Sequence, residues 1–143
     1  MSEKKRVLIL CTGNSARSQM AEGLLRYLAG DRFEVFSAGV VASFVRPQAI
    51  AAMKEMGIDI SQQRSKSVDE FLGKQLDYVI TVCDHANQRC PVFPGAVTRI
   101  HWSIDDPVVG GAEGMQLEAF RRARDELQRR LQSFAGDRGP ARK

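Results

Sequence analysis

A short apolar run near the start of the chain constrains the fold more than any other segment. Residues 7–10 (VLIL) contain no polar side chain and lead directly to Cys11. Runs of this length with β-branched residues are typical of strands buried on both faces of a sheet. From Ser18 to about Leu28 apolar residues recur at helical spacing, and Gly30 stands where a helix would end. The pattern predicts a central strand, a loop and a helix.

Strand-like and helix-like segments continue to alternate along the rest of the chain. The predicted strands cover residues 33–37, 78–82 and 97–102, and the predicted helices cover 47–56 and 68–72. A long last helix carries five apolar residues on one face, namely Leu117, Phe120, Leu127, Leu131 and Phe134. This order predicts one α/β domain over residues 1–143, in which a four-stranded parallel sheet is flanked by helices in three layers. Residues 135–143 are predicted to be a flexible tail.

Composition excludes several classes of protein. With 143 residues, 43% of them hydrophobic, the chain can build one core. It contains no apolar run of about 18 residues, and its net charge of +4 is low for a nucleic-acid-binding protein. Three cysteines do not suit a structural disulfide framework. We therefore expect a cytoplasmic monomer that has no membrane or nucleic-acid partner.

The segment that begins at Cys11 has the pattern Cys-x5-Arg-Ser (CTGNSARS). A loop that turns from a strand into a helix can aim backbone N–H groups inward, and the helix start adds a partial positive charge. Gly13 and Asn14 tolerate positive φ, and the planar guanidinium of Arg17 suits a tetrahedral oxyanion. The loop is thus predicted to bind an oxyanion beside a Cys11 thiolate. The predicted binding residues are Thr12, Gly13, Asn14, Ser15, Ala16, Arg17 and Ser18. The alternative is a buried structural cysteine.

Further chemistry falls at the same sheet edge. Cys83 follows one predicted strand and the Asp105-Asp106 pair follows another, where the carboxyl ends of parallel strands meet. Cys83 and Cys90 could instead be buried thiols or metal ligands with His85 and His101. Their spacing, Cys-x-His-x4-Cys, fits no common zinc site, so no metal site is predicted. The two aspartates could simply form a turn before Pro107.

These motifs carry a family resemblance. The segment from Cys11 to Ser18 resembles the signature loop of low-molecular-weight protein tyrosine phosphatases, and Asp106-Pro107 resembles their general-acid loop. Residues 17–23 (RSQMAEG), Cys83, Cys90-Pro91 and residues 101–107 (HWSIDDP) are similar to the thioredoxin-coupled arsenate reductases built on that fold. Only the two ends of the chain lie outside the resemblance.

The resemblance implies a relay of three thiols. Cys11 would attack arsenate held by Arg17, and Asp106 would protonate the departing oxygen. Cys83 would then attack the adduct and release arsenite, and Cys90 would attack Cys83 to leave a Cys83–Cys90 disulfide. The resemblance further implies thioredoxin, with its NADPH-dependent reductase, as external reductant, no bound cofactor, phosphate and sulfate as competing oxyanions, and a role in arsenic detoxification.

Spacing adds a conformational expectation. If the segment from Cys83 to Cys90 is helical, the two Cα atoms lie about 10.5 Å apart. A disulfide tolerates at most about 7 Å, so its formation requires this segment to unwind or bend. We expect the reduced and oxidised forms to differ mainly between Cys83 and Pro94.

Two other functions remain open from the sequence. A tyrosine phosphatase would share the loop and the acid, but residues 108–111 (VVGG) supply no aromatic side chain to hold a phenyl ring; weak phosphatase activity is expected in either case. The non-enzyme alternative is a redox-sensing or oxyanion-binding interaction protein that uses Cys83 and Cys90 as its switch. Some members of the resembled family hold potassium near positions that match Asn14, Glu22 and Ser37. Lys66 stands here in place of their acidic residue, which predicts no potassium requirement.

Overall fold

The computed structural model describes residues 4–107 and 113–137. Its four strands are β1 (Lys5–Cys11), β2 (Phe33–Gly39), β3 (Tyr78–Thr81) and β4 (Thr98–His101). They form one parallel sheet in the order β2-β1-β3-β4. β1 is therefore an interior strand, as its apolar sequence predicted, and its residues Val7, Leu8 and Ile9 are fully buried.

Helices flank this sheet. They are α1 (Arg17–Ala29), α2 (Pro47–Lys54), a 3-10 helix (Val68–Phe71), α3 (Asp84–Gln88) and α4 (Glu113–Asp137). Helices α1, α2 and α4 pack against one another, and α1 also packs on β1 and β2. The predicted four-stranded parallel α/β fold is confirmed. Along the described parts of the chain, none of the helices combines the length and the apolar composition that a bilayer-spanning segment requires.

Helix α4 closes the core and extends further than its sequence predicted. Phe134 is 2% exposed and its ring packs against those of Phe33 and Tyr78. Ala135 is buried as well, and its carbonyl accepts a 2.7 Å hydrogen bond from Arg32. Residues 135–137 thus belong to the helix instead of the predicted tail, and the burial of Ala135 against the core helps to explain this; residues 138–143 lie outside the described residues.

Ion pairs fasten α4 to the end of α2. The Glu55 carboxylate accepts hydrogen bonds from Arg121 at 2.7 Å and from Arg124 at 2.9 Å. These two guanidinium groups, Arg121 first, lower the pKa of Glu55 to about 2. Helix α2 itself ends at Lys54, two residues before the predicted boundary, and the chain then turns through Gly57 at φ 75°.

Candidate active site

The loop after β1 holds Cys11 at its base. Cys11 is 3% exposed, and its sulfur lies 2.9 Å from the hydroxyl oxygen of the fully buried Ser18. The Asn14 side-chain amide donates to that same Ser18 oxygen at 2.7 Å. The Ser18 oxygen accepts from Asn14, and the Ser18 hydroxyl can donate its hydrogen to the Cys11 sulfur. A donor aimed at the sulfur favours the charged thiolate, which is the nucleophilic form.

Asn14 fixes the shape of the loop. It has φ 50°, a left-handed conformation that asparagine adopts more easily than most residues. Its side-chain oxygen accepts hydrogen bonds from Lys66 N–H at 2.8 Å and from Gln19 at 2.9 Å. Both Gly13 and Asn14 tolerate positive φ, but of the two only Asn14 adopts it; the described glycines with positive φ are Gly57, Gly73 and Gly95.

The loop's carbonyl groups point toward the rest of the protein. Five of them accept hydrogen bonds from outside the loop: Cys11 from Val40 N–H, Thr12 from Val41 N–H, Gly13 from Ser65, Asn14 from Gln19, and Ser15 from Arg46 N–H. Over the described ranges, no backbone N–H group of residues 12–18 donates to another protein atom. Free N–H groups in a loop whose carbonyls are occupied suit an anion. Binding by residues 12–18 stays a prediction.

Gly39 is a site residue that the sequence reasoning missed. A Cβ atom at this position would lie 2.7 Å from the Asn14 backbone nitrogen and 2.8 Å from the Thr12 carbonyl oxygen. Gly39 N–H also donates to the Lys66 carbonyl at 2.8 Å. Since Gly39 ends β2 and the loop follows β1, only an alignment of homologous sequences could have indicated this contact beforehand.

Behind the loop lies a buried polar group. Glu22 accepts a 2.5 Å hydrogen bond from Ser37, and Ser37 accepts one of 3.0 Å from Asn14. The Lys66 Nζ atom lies 3.8 Å from the Glu22 carboxylate and donates to the Arg64 carbonyl at 2.7 Å. Burial lowers the pKa of Lys66, against the attraction of Glu22, which raises it. Both contacts of the Nζ atom are acceptors, which suits an ammonium group.

We expect turnover to be independent of potassium, because the Lys66 ammonium already lies beside Glu22. Rates in potassium chloride and in sodium chloride at equal ionic strength should agree. Lys66→Met should lower turnover about tenfold, since it leaves Glu22 without that charged partner. Lys54→Met, an exposed change on α2, is the matched control. A clear rate increase in potassium would contradict this role of Lys66.

Arg17 joins the loop to the segment that carries the predicted acid. Its Nη1 atom donates to the Ile104 carbonyl at 2.9 Å, and its Nη2 atom lies 3.9 Å from the Asp106 carboxylate. The Arg17 side chain is 12% exposed and that of Asp106 is 48% exposed. Arg17 can therefore hold Asp106 beside the loop while the carboxyl group stays accessible. Residues 108–112, where the sequence lacks an aromatic side chain, lie outside the described residues.

A second thiol lies at the rim of the loop. Cys83 is 5% exposed, and its sulfur is 3.1 Å from the Thr12 hydroxyl oxygen. Cys83 also precedes α3, and its sulfur accepts a hydrogen bond from Ala86 N–H at 3.3 Å. His85 extends the group, since its Nδ1 atom is 3.4 Å from the Thr12 hydroxyl. The Thr12 hydroxyl and the Ala86 N–H can therefore both donate to the Cys83 sulfur.

Cys90 lies just beyond α3. It is half-buried, and its thiol donates to the Pro91 carbonyl at 3.6 Å. Burial raises the pKa of Cys90, while Arg99 acts in the opposite direction. All three cysteines are free thiols. Of the residues predicted for catalysis, Cys11, Arg17, Cys83 and Asp106 are connected through contacts of the loop, and Cys90 stands apart. Among the described residues, there is no cluster of three or more His, Cys, Asp or Glu side chains that could hold a metal ion.

A buried thiol beside an arginine and an aspartate, at a strand-to-helix loop of a parallel α/β sheet, is the arrangement expected of an enzyme that uses cysteine as a nucleophile. The chain belongs to the low molecular weight phosphotyrosine protein phosphatase family, whose model matches residues 6–139.

Within that family the chain is similar to arsenate reductases. It is 47% identical over 133 residues to the arsenate reductase of Halalkalibacterium halodurans, covering 92% of this chain and 96% of the relative. A solved arsenate reductase in the oxidised state superposes with a TM-score of 0.80 at 34% identity, covering 93% of this chain and 98% of the other. Another, in the phosphate binding state, gives 0.76 at 35% identity with the same coverage.

Proposed function

We propose that the protein reduces arsenate to arsenite through a relay of its three thiols and is regenerated by thioredoxin, as part of bacterial arsenical resistance. The observation that carries the proposal is the 3.1 Å contact between Cys83 and Thr12, which brings a second thiol to the rim of the loop that begins at Cys11. A phosphatase needs one thiol at this place. The names of the relatives support the substrate.

In the first step the Cys11 thiolate attacks arsenic. The hydrogen bond from Ser18 stabilises the thiolate before attack, and Arg17 binds oxygens of the tetrahedral anion. Asp106, held near Arg17, gives its proton to the oxygen that departs as water. An arsenic–sulfur bond forms and an arsenic–oxygen bond breaks, so that arsenic stays at oxidation state five.

In the second step Cys83 attacks the Cys11 sulfur. A sulfur–sulfur bond forms, the sulfur–arsenic bond breaks, and its electron pair passes to arsenic, which leaves as arsenite. The Thr12 hydroxyl and Ala86 N–H can stabilise the Cys83 thiolate before it attacks. Two electrons are transferred, and a Cys11–Cys83 disulfide remains.

In the third step Cys90 attacks Cys83 and frees the Cys11 thiol. Burial keeps the pKa of Cys90 above that of an exposed thiol while α3 is intact, which restrains it until the segment opens. The resulting Cys83–Cys90 disulfide is then reduced by the dithiol of thioredoxin, which becomes oxidised.

A single turnover without reductant tests the relay. Reduced protein mixed with arsenate should release one arsenite per chain and lose two of its three thiols. Peptide mapping should find a Cys83–Cys90 disulfide in the wild type and a Cys11–Cys83 disulfide in Cys90→Ser. Arsenite release without any disulfide would contradict the relay.

The second candidate function is hydrolysis of phosphate esters. The contact between Arg17 and Asp106 favours it, because a phosphatase uses the same nucleophile, arginine and acid. We expect weak activity of this kind, because arsenate and phosphate are similar in size and the loop presents the same hydrogen-bond donors to both. Hydrolysis of an aryl phosphate at a rate above that of arsenate reduction would make this candidate the better one.

A further inference from the structure

Polar side chains connect α3 to the ends of β3 and β4, and His101 at the end of β4 lies at their centre. His101 Nε2 lies 2.8 Å from the Asp84 carboxylate, and His101 Nδ1 lies 2.8 Å from the Thr81 hydroxyl. The Thr81 hydroxyl in turn lies 3.4 Å from the side-chain oxygen of Asn87, also in α3. We call these residues, Thr81, Asp84, Asn87 and His101, the α3 tether.

The direction of the hydrogen bond between His101 and Asp84 follows from the ionisation of Asp84. Hydrogen bonds from His101, and then Ser103, lower the pKa of Asp84, so Asp84 is ionised at neutral pH and can only accept. His101 Nε2 therefore carries the hydrogen and donates it. Asp84 is the residue that follows Cys83, and Asn87 lies one turn further along the same helix.

Formation of the Cys83–Cys90 bond requires this helix to open. The helix α3 covers five of the six residues between the two cysteines, and each helical residue adds about 1.5 Å along the axis. We expect this helix to keep the two Cα atoms farther apart than the roughly 7 Å that a disulfide tolerates. When residues 84–88 leave the helix, Asp84 and Asn87 can no longer both keep their positions against β3 and β4. Contacts of the α3 tether are then present in the dithiol form and lost in the disulfide form.

We propose that Asp84 and His101 act as positioning residues that hold α3 wound and so shift the balance of Cys83 and Cys90 toward the dithiol. This inference rests on the proposed relay for its biological meaning. A helix held in this way makes the disulfide easier for an external dithiol to reduce. Asp84→Asn should therefore favour the disulfide.

The test needs no arsenate, so it can fail independently of the proposed reaction. In a Cys11→Ser background, the protein is equilibrated with mixtures of reduced and oxidised glutathione. Each Cys83–Cys90 disulfide formed consumes one glutathione disulfide and releases two glutathione thiols. We expect Asp84→Asn and His101→Gln each to raise the equilibrium constant for disulfide formation about threefold. The effect of the double variant should be smaller than the product of the two single effects, because both variants weaken the same contact between Asp84 and His101.

Glu70→Gln is the matched control. Glu70 forms an exposed ion pair with Arg64, remote from α3, and its loss should leave the equilibrium unchanged. Amide hydrogen exchange of the reduced proteins is the second measurement, and exchange over residues 86–89 should be about threefold faster in Asp84→Asn, with α1 unaffected. An unchanged glutathione equilibrium, additive effects in the double variant, or unchanged exchange over residues 86–89 would each overturn the proposal.

Discussion

Cys83→Ser is expected to lose arsenate reduction while it keeps hydrolysis of a small aryl phosphate. In the proposed relay the first step uses Cys11, Arg17 and Asp106, and the contacts that position them do not involve the Cys83 sulfur. Water can complete a phosphatase cycle from the Cys11 intermediate. In the proposed relay, release of arsenite instead needs a second thiol that attacks the Cys11 sulfur, so that two thiols are oxidised to a disulfide and arsenic gains two electrons. Serine retains a hydroxyl near Thr12, so the local hydrogen bonding changes little.

Two assays on one preparation measure this separation. Arsenite formation should fall to background in Cys83→Ser, and hydrolysis of p-nitrophenyl phosphate should stay within about twofold of the wild type. Cys11→Ser should abolish both reactions. Equal loss of both activities in Cys83→Ser would mean that Cys83 supports the loop instead of transferring electrons.

Gly39→Ala is expected to damage the loop from behind. The new methyl group would meet the backbone of Asn14 and of Thr12 below 3 Å, and backbone atoms cannot turn aside as a side chain would. Overpacking of this kind costs about 1–3 kcal/mol of stability. If the loop N–H groups bind the oxyanion as predicted, a displacement of about 1 Å should lower turnover by roughly a hundredfold.

Kinetics and unfolding measurements check this expectation together. We expect kcat/KM for arsenate to fall by roughly a hundredfold in Gly39→Ala, with a lower midpoint of thermal unfolding. Gly136→Ala is the matched control, because a Cβ atom there meets nothing within 4 Å. In an exposed helical position alanine should raise stability by up to about 1 kcal/mol. Wild-type turnover in Gly39→Ala would contradict the close packing between β2 and the loop.

The sequence predicted the parts of the molecule that depend on local pattern. The buried strand before Cys11 and the helix after Arg17 follow from apolar periodicity, and the parallel sheet follows from the order of the elements. Because ligand sites of parallel sheets lie at the carboxyl ends of the strands, the sequence also predicted that Cys83 and Asp106 lie near the loop. The role predicted for Cys90 depended on the family resemblance and stays a prediction, because a half-buried thiol at this place could equally be structural.

Contacts between residues distant in sequence were beyond prediction. Gly39 meets Asn14 only because β2 and β1 pair in one particular register. The pairing of Asp84 with His101 likewise requires α3 and β4 to end at the same corner. Residues 135–137 looked like a tail because they lack large side chains, yet the small Ala135 is buried where α4 packs against Arg32.

The most direct test of the proposed function is arsenate-dependent oxidation of NADPH with thioredoxin and its reductase supplied. The wild-type protein should consume one NADPH for each arsenite formed. Cys90→Ser should stop after one turnover, since it lacks the third thiol that would free Cys11, and the buried positions of Cys11 and Cys83 shield their disulfide from an external dithiol. No arsenate-dependent oxidation by the wild type, or sustained turnover by Cys90→Ser, would contradict the three-thiol relay.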